Sequence, residues 1–121
     1  VAANGAIKGV APEAQILGMK VFGNDPLYGS TGDHIYVKAF DDAIKLGADV
    51  INMSLGSPAG FNEPDSATGK AITNAVENGI VFAISAGNEG SSVGDSRLTP
   101  YKPENPDISM VGSPSVYKDS T

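Results

Sequence analysis

The sequence predicts an α/β fold in which a parallel sheet carries flanking helices. Apolar runs typical of buried strands alternate with segments of helical periodicity, and each predicted helix ends at a glycine. The run Ile80–Ala86 shows no polar alternation, which predicts a central parallel strand covered on both faces. Right-handed crossovers join such strands, so their carboxyl ends, where open α/β folds carry their chemistry, meet at one edge.

The first elements follow from a turn, an apolar run and a helical pattern. Gly9–Pro12 reads as a turn, and the apolar segment Ala14–Phe22 is the first predicted strand. A loop rich in glycine, Asn and Asp follows. Ser30 and Asp33 then stand at the spacing of a capping box, and apolar pairs recur at helical spacing until Gly47 stops the helix.

The second half of the chain repeats this order. Asp49–Ser54 is the second predicted strand, and the next helix begins at about Asp65 and ends at Gly79. The central apolar run comes next. The segment Gly87–Asp107 has no periodicity, as in functional or mobile loops, and Ile108–Gly112 is a predicted last short strand.

Composition limits the possible partners. The formal net charge is -6 and the pI is about 4.5, so a polyanionic partner such as nucleic acid is not expected. The absence of cysteine excludes disulfides and thiolate chemistry. No apolar run approaches the roughly 20 residues of a membrane helix. The chain starts at Val1 without Met or a signal peptide, so we expect it to come from a longer protein.

Several common sites are not predicted. Neither glycine-rich phosphate motif occurs, since Gly69-Lys70 is followed by Ala71 within a helical pattern. His34 is the only histidine, which excludes a His-based metal cluster. Asp33 beside it falls in the first helical turn, where a carboxylate complements the helix dipole. The sequence therefore predicts neither a nucleotide site nor a metal site.

Three sequence blocks resemble the subtilisin-like serine proteases, or subtilases. They are Gly9–Ala14 (GVAPEA), Gly47–Gly56 (GADVINMSLG) and Ser85–Gly90 (SAGNEG), in that order. The resemblance covers nearly the whole chain and is closest to the cell-envelope proteinases of the lactocepin and C5a-peptidase group. It implies that residues 1–121 are the middle of a three-layer α/β/α catalytic domain.

The resemblance also implies roles for individual residues. The family places an oxyanion-hole donor at the position of Asn88, whose side-chain amide supplies two N–H donors without charge. It places substrate-binding segments at both strand ends. Their residues are Ser54, Leu55, Gly56, Ser85, Ala86 and Gly87. A turn that only reverses the chain after a strand would have the same composition. From the residues alone, a simple turn therefore remains an alternative interpretation of both segments.

The departures from the family pattern concern the catalytic triad. Subtilases use Asp, His and Ser in that chain order. The His motif would precede Val1, the Ser motif would follow the chain, and His34 matches no catalytic position. A family calcium loop precedes Gly9, but Asn4–Lys8 is too short for its full ligand set. We therefore expect no cofactor in this segment, and calcium stays open for the longer protein. We also expect no hydrolysis by residues 1–121 alone.

Two functional hypotheses remain. In the first, the chain is part of a secreted or wall-anchored serine endopeptidase that forms an acyl-enzyme. Its partners are then a protein or peptide substrate and the rest of the catalytic domain. In the second, it is a non-catalytic, degenerate subtilase or α/β module that binds extended peptides along Ser54–Gly56.

Overall fold

The computed structural model describes residues 2–27, 29–58, 60–88 and 111–121. The chain forms two compact units, residues 1–31 and 32–121. All helices and strands of the described residues lie in the second unit. They are α1 (Asp33–Lys45), β1 (Val50–Met53), α2 (Ala67–Glu77) and β2 (Val81–Ile84). This order confirms the predicted alternation of helix and strand from residue 33 to residue 84.

The two strands form a parallel sheet, as predicted. Val50 is level with Val81 at the start of the pair, and Met53 is level with Ile84 at its end. The Val81 amide donates to the Asp49 carbonyl (3.0 Å), which extends the pairing by one residue before β1. The carboxyl ends of β1 and β2 therefore lie side by side at one edge.

The core lies on one face of this sheet. Phe82 and Ile72 are almost fully buried, and the Phe40 ring meets the Phe82 ring edge to face, with centroids 4.9 Å apart. Met53 and Ile84 point into the same cluster. Residues from α1, α2 and both strands thus bury their apolar surface together, which is the main source of stability in such a layer.

The opposite face of the sheet is not covered as predicted. Val50 and Val81, which are paired, are 60% and 53% exposed. The expectation that the central strand is covered on both faces is therefore wrong for the described residues. The reason is that α1 and α2 both pack against the face that carries Phe82.

Glycine ends both helices, as predicted. Gly47 follows α1 with φ +75°, and its amide donates to the Ile44 carbonyl (3.1 Å). The Ala48 amide then donates to the Ala43 carbonyl (3.0 Å), which completes a Schellman motif. Gly79, with φ +88°, ends α2 in the same way. A positive φ strains a residue with a Cβ, so glycine is the residue that this stop requires.

The two helices begin differently. At α2 the Ser66 hydroxyl accepts a hydrogen bond from the Gly69 amide (3.1 Å), a regular N-cap. At α1 the N-cap is Gly32 and no side chain caps the helix, so the predicted capping box is wrong. Asp33 is the first helical residue rather than the third, because the helix begins three residues after Ser30.

The first unit contains no strand among its described residues. Asn4 and Lys8 form an isolated antiparallel bridge, and the Gly9 amide donates to the Ala3 carbonyl (2.6 Å). The predicted strand Ala14–Phe22 is wrong, and Ile16 within it is 65% exposed. An apolar run becomes a strand only when another strand pairs with its backbone, and within the described residues no ladder includes this run.

The last described segment, residues 111–121, packs against the rest of the second unit. The predicted strand Ile108–Gly112 lies outside the described residues except for Val111 and Gly112, which are not in a strand. The non-periodic segment Gly87–Asp107 also lies outside them from residue 89 onward. Thr121 pairs with β2: its amide donates to the Phe82 carbonyl (2.8 Å), and its carbonyl accepts from the Ile84 amide (3.1 Å).

The length and polarity of the described helices can be compared with what a membrane span requires. The longer of the two, α1, has 13 residues and carries charged side chains on its exposed side. Within the described residues, no helix has the length and apolar character that crossing a bilayer requires.

Candidate functional site

The carboxyl edge of the sheet brings the two candidate segments together. The Ser85 amide donates to the Met53 carbonyl (3.1 Å), so the parallel pairing continues to the last residue of β1. Ser54 follows Met53 directly, and Ala86 follows Ser85. The segments that the sequence placed at two separate strand ends are therefore neighbours in space.

Ser54, Leu55 and Gly56 each have a different environment. Ser54 is exposed, and its hydroxyl accepts a hydrogen bond from the Asn52 side-chain amide (2.9 Å). Leu55 is half-buried against the hydrophobic core. A Cβ on Gly56 would lie 2.6 Å from the Ser113 carbonyl oxygen, so only glycine fits. Leu55 thus anchors the segment, while the backbone on either side of it stays near the surface.

The turn after β2 is exposed and depends on glycine. Ser85, Ala86, Gly87 and Asn88 are all exposed. Gly87 has φ +102°, a conformation that strains residues with a Cβ. Asn88 follows at the surface of this turn. The remaining residues of the third sequence block, Glu89 and Gly90, lie outside the described residues.

A third segment, residues 111–113, contacts both strand ends and was not identified from the sequence. The Gly112 amide donates to the Ala86 carbonyl (2.8 Å). Ser113 and Ser57 exchange two backbone hydrogen bonds (2.9 and 3.0 Å). A Cβ on Gly112 would lie 2.8 Å from the Ser57 carbonyl oxygen, so the two backbones approach too closely for a side chain.

The contact between these segments could not be read from periodicity, because the partners are distant in the chain. The signal in the sequence is the glycine before Ser113-Pro114, since close backbone approach and a turn both favour such residues. The consequence is that residues 111–113 hold the end of β1 and the end of β2 at a set separation.

The rest of the last segment is attached to α2. The Tyr117 hydroxyl and the Ser66 hydroxyl are hydrogen-bonded (2.8 Å), and Tyr117 is 8% exposed. The Tyr117 ring lies over Gly69, where a Cβ would be 2.9 Å from its Cε1 atom. The Thr73 hydroxyl donates to the Asp119 carboxylate (2.7 Å). These contacts tie the segment beside the candidate site to α2, at its N-cap Ser66, at Gly69 and at Thr73.

The candidate segments offer hydrogen-bond donors and acceptors rather than acid–base groups. Residues 54–56 and 85–88 contain hydroxyl, amide and backbone groups and no titratable side chain. Titratable groups lie elsewhere, for example on the exposed side of α1. There a hydrogen bond from Lys45 to the Asp41 carboxylate (2.6 Å) raises the pKa of Lys45. Among the described residues, these two segments therefore offer hydrogen-bonding groups but no acid or base of their own.

The loop Asn4–Lys8 does not fit a calcium ion. It has one amide side chain and no carboxylate, and Lys8 adds a positive charge. The Ile7 carbonyl already accepts a hydrogen bond from the Gly5 amide (3.2 Å). Calcium takes six to eight oxygen ligands, usually including carboxylates. Within the described residues, no cluster of three or more acidic or histidine side chains could hold a metal ion.

Comparison with known proteins gives consistent matches. The chain is 43% identical over 118 residues to the PIII-type proteinase of Lactococcus lactis subsp. cremoris (strain SK11), covering 96% of this chain and 6% of that protein. It is 40% identical over 119 residues to the C5a peptidase of Streptococcus pyogenes, covering 95% and 10%. It is 35% identical over 116 residues to the major intracellular serine protease of Bacillus subtilis, covering 96% and 34%.

A solved structure supports the fold. The epidermin leader peptide processing serine protease from Staphylococcus aureus superposes with a TM-score of 0.68 at 26% identity, covering 98% of this chain and 30% of that one. The parallel sheet with flanking helices is therefore the arrangement of a subtilisin-like α/β protease, as the sequence predicted. The chain spans only a small part of each relative's length.

The relatives include a PIII-type proteinase and a C5a peptidase, which agrees with the group that the sequence blocks resemble. The matching family model, described as the subtilase family, covers residues 1–121. Together with the side-by-side strand ends, this shows that the chain belongs to the subtilase family.

Proposed function

We propose that this chain is part of the catalytic domain of a serine endopeptidase that hydrolyses peptide bonds through an acyl-enzyme. The observation that carries the proposal is the hydrogen bond from the Ser85 amide to the Met53 carbonyl, which puts both candidate segments at one sheet edge. An extended peptide lying along Ser54–Gly56 would have its reacting carbonyl beside the turn at Gly87 and Asn88. Family membership supports the same chemistry.

Asn88 is the proposed oxyanion-hole donor. In acyl transfer the attacked carbonyl oxygen becomes negative, and a preorganised N–H group stabilises that charge more than it stabilises the bound substrate. Gly87, with its positive φ, lets the backbone turn so that Asn88 follows at the exposed edge. Loss of such a donor lowers kcat about 100- to 1,000-fold in subtilisin, and that value is a property of subtilisin.

The proposal is tested on the full-length gene product with Asn88→Ala. We expect kcat to fall by about 100-fold or more while KM changes little, because the lost interaction forms mainly in the transition state. Asn74→Ala, an exposed asparagine of α2, is the matched control and should leave kcat unchanged. Equal effects of the two substitutions would contradict the oxyanion role.

A covalent probe separates the catalytic hypothesis from the non-catalytic one. We expect a fluorophosphonate to label the full-length gene product stoichiometrically and to leave residues 1–121 alone unlabelled. The alternative, a degenerate subtilase or α/β module that binds extended peptides, draws on the lack of a titratable side chain at residues 54–56 and 85–88. Peptide binding by the full-length gene product without labelling would favour that alternative.

The remaining proposals concern location and cofactors. We propose a secreted or wall-anchored protein that uses no cofactor in this segment and acts on protein or peptide substrates together with the rest of its catalytic domain. The resemblance to cell-envelope proteinases supports the location, although one relative is named as intracellular. Fractionation of the native host tests it. Recovery of the protein in the cytosol alone would contradict an extracellular site.

A further inference from the structure

Tyr117 lies in the last described segment and packs against α2. Its side chain is buried and belongs to the hydrophobic core. A Cβ on Gly69 would lie 2.9 Å from the Tyr117 ring, so glycine at that position of α2 leaves room for the ring. A buried hydroxyl needs a hydrogen-bond partner, and Ser66, the N-cap of α2, supplies it (2.8 Å). The ring and the hydroxyl together fix Tyr117 against the first turn of α2.

Hydrogen bonds carry this fixed position back to Gly112. The Tyr117 amide donates to the Pro114 carbonyl (3.2 Å). The Ser120 hydroxyl lies 2.7 Å from the carbonyl oxygens of both Ser115 and Tyr117. The Ser115 hydroxyl in turn donates to the Gly112 carbonyl (2.8 Å). This part of the chain is thus a compact turn bonded to itself, so a displacement of Tyr117 should be transmitted to Gly112.

Gly112 is the point where this turn meets the candidate site. Its amide donates to the Ala86 carbonyl (2.8 Å). The pairing of the two strands is described up to the Ser85 amide, one residue earlier. The hydrogen bond from Gly112 therefore holds the backbone where the pairing stops. Gly87 and Asn88 follow directly, so the position of Ala86 sets where the exposed turn begins.

A small displacement of this turn matters because an oxyanion donor acts over a narrow range of distance. Such a donor is effective at about 2.7–3.1 Å from the oxyanion. A misplacement of about 1 Å can lower a reaction rate about 100-fold. A residue that fixes Ala86 from outside the site can therefore control the rate through Asn88.

We propose that Tyr117 is a positioning residue for Asn88, acting through Gly112 and Ala86. The inference rests on the proposed function, because it requires that the Asn88 amide stabilises the negative oxygen formed in acyl transfer. It adds to that function a tyrosine and its partner Ser66, which hold the oxyanion donor in place from the start of α2.

The test is steady-state kinetics of the full-length gene product with Tyr117→Phe, which keeps the ring and removes the hydroxyl. We expect kcat to fall about three- to tenfold with little change in KM, because a shift smaller than about 1 Å misplaces a donor that acts mainly in the transition state. Gly47→Ala is the matched control for lost stability. Its φ of +75° strains alanine, while the added Cβ meets no atom within 4 Å. That control should lower the melting temperature and leave kcat unchanged.

A double-mutant cycle with Asn88→Ala separates positioning from general stability. If Tyr117 acts through Asn88, then Tyr117→Phe should lower kcat no further once the Asn88 amide is absent. The same fold-loss of kcat with and without that amide would overturn the inference. An unchanged kcat in the single Tyr117→Phe variant would overturn it as well.

Substitutions of Ser66 give a second measurement in case Tyr117→Phe does not fold. Ser66→Gly removes the partner of the Tyr117 hydroxyl but keeps an acceptable N-cap, whereas Ser66→Thr keeps both. We expect Ser66→Gly to lower kcat and Ser66→Thr to retain it. Equal kcat values in these two variants, in a protein that cleaves peptides, would overturn the positioning role and leave the proposed function standing. No cleavage and no fluorophosphonate labelling by the unaltered full-length protein would overturn both together.

Discussion

The two helices of the second unit pack on the same sheet face but are held in different ways. Both helices contribute to the core, with Phe40 from α1 and Ile72 from α2. α1 begins at Gly32 without a side-chain cap, and ion pairs four residues apart, such as Lys45–Asp41, lie on its exposed side. α2 begins at a capped Ser66 whose hydroxyl also contacts Tyr117.

This difference shows which helix is coupled to the candidate site. The contacts of α2 with Tyr117 and Asp119 hold the segment whose other end, at Gly112, is hydrogen-bonded to Ala86. The ion pairs described on α1 are local and exposed, and exposed pairs of this type contribute little to stability. Changes at the start of α2 should therefore affect both stability and the site.

The largest effect is expected from Gly69→Ala. A Cβ there would lie 2.9 Å from the Glu63 carbonyl oxygen and 2.9 Å from the Tyr117 ring. Overpacking costs about 1–3 kcal/mol. That cost outweighs the gain of at most about 1 kcal/mol from replacing glycine in a helix. We expect a lower urea midpoint for residues 1–121, whereas Asn74→Ala on the exposed side of α2 should not lower it.

A smaller change in the free energy of unfolding is expected from substitutions at the N-caps of the two helices. Ser66→Ala removes the N-cap and a partner of the Tyr117 hydroxyl, which should cost about 1–2 kcal/mol. Gly32→Ser adds a possible cap to α1 and should stabilise by a few tenths of a kcal/mol, since glycine is itself an acceptable N-cap. Thermal or urea unfolding measures both. If Ser66→Ala lowers the stability by no more than the small amount by which Gly32→Ser raises it, then the start of α2 is no better anchored than the start of α1.

The smallest expected effect is the pH dependence of the stability that the Lys45–Asp41 pair of α1 contributes. The hydrogen bond to Asp41 raises the pKa of Lys45 above its ordinary 10.5. A group whose pKa is higher in the folded state stabilises fully below its unfolded pKa and loses that effect as the pH rises through the folded pKa. The stability difference between the unaltered chain and Asp41→Asn should therefore shrink above pH 10.5. A difference that grows there would contradict this assignment.

Several elements could be predicted because their signals are local. Gly47 and Gly79 mark helix ends through their positive φ, and the apolar residues at helical spacing mark the faces that pack. The candidate segments Ser54–Gly56 and Ser85–Gly87 were placed correctly at strand ends, because strand ends follow directly from where the apolar runs stop. The oxyanion role of Asn88 stays a prediction.

Other features could not be predicted because they depend on partners distant in the chain. Ala14–Phe22 has the composition of a strand, yet composition does not supply the pairing strand that the backbone needs. The packing of Gly112 against Ser57 and Ala86 has no periodic signal in the sequence.

By itself, the sequence determined the family, the order of helix and strand in the second unit, and the residues at the strand ends. Local φ preferences and the spacing of apolar residues are properties of neighbouring residues in the sequence, so they do not depend on a distant partner. The tertiary structure decided which sheet face is covered, that Ser85 pairs with Met53, and that residues 111–113 join the strand ends. Those features depend on hydrogen bonds between backbone groups that are far apart in the chain. Such groups come together only when the chain folds.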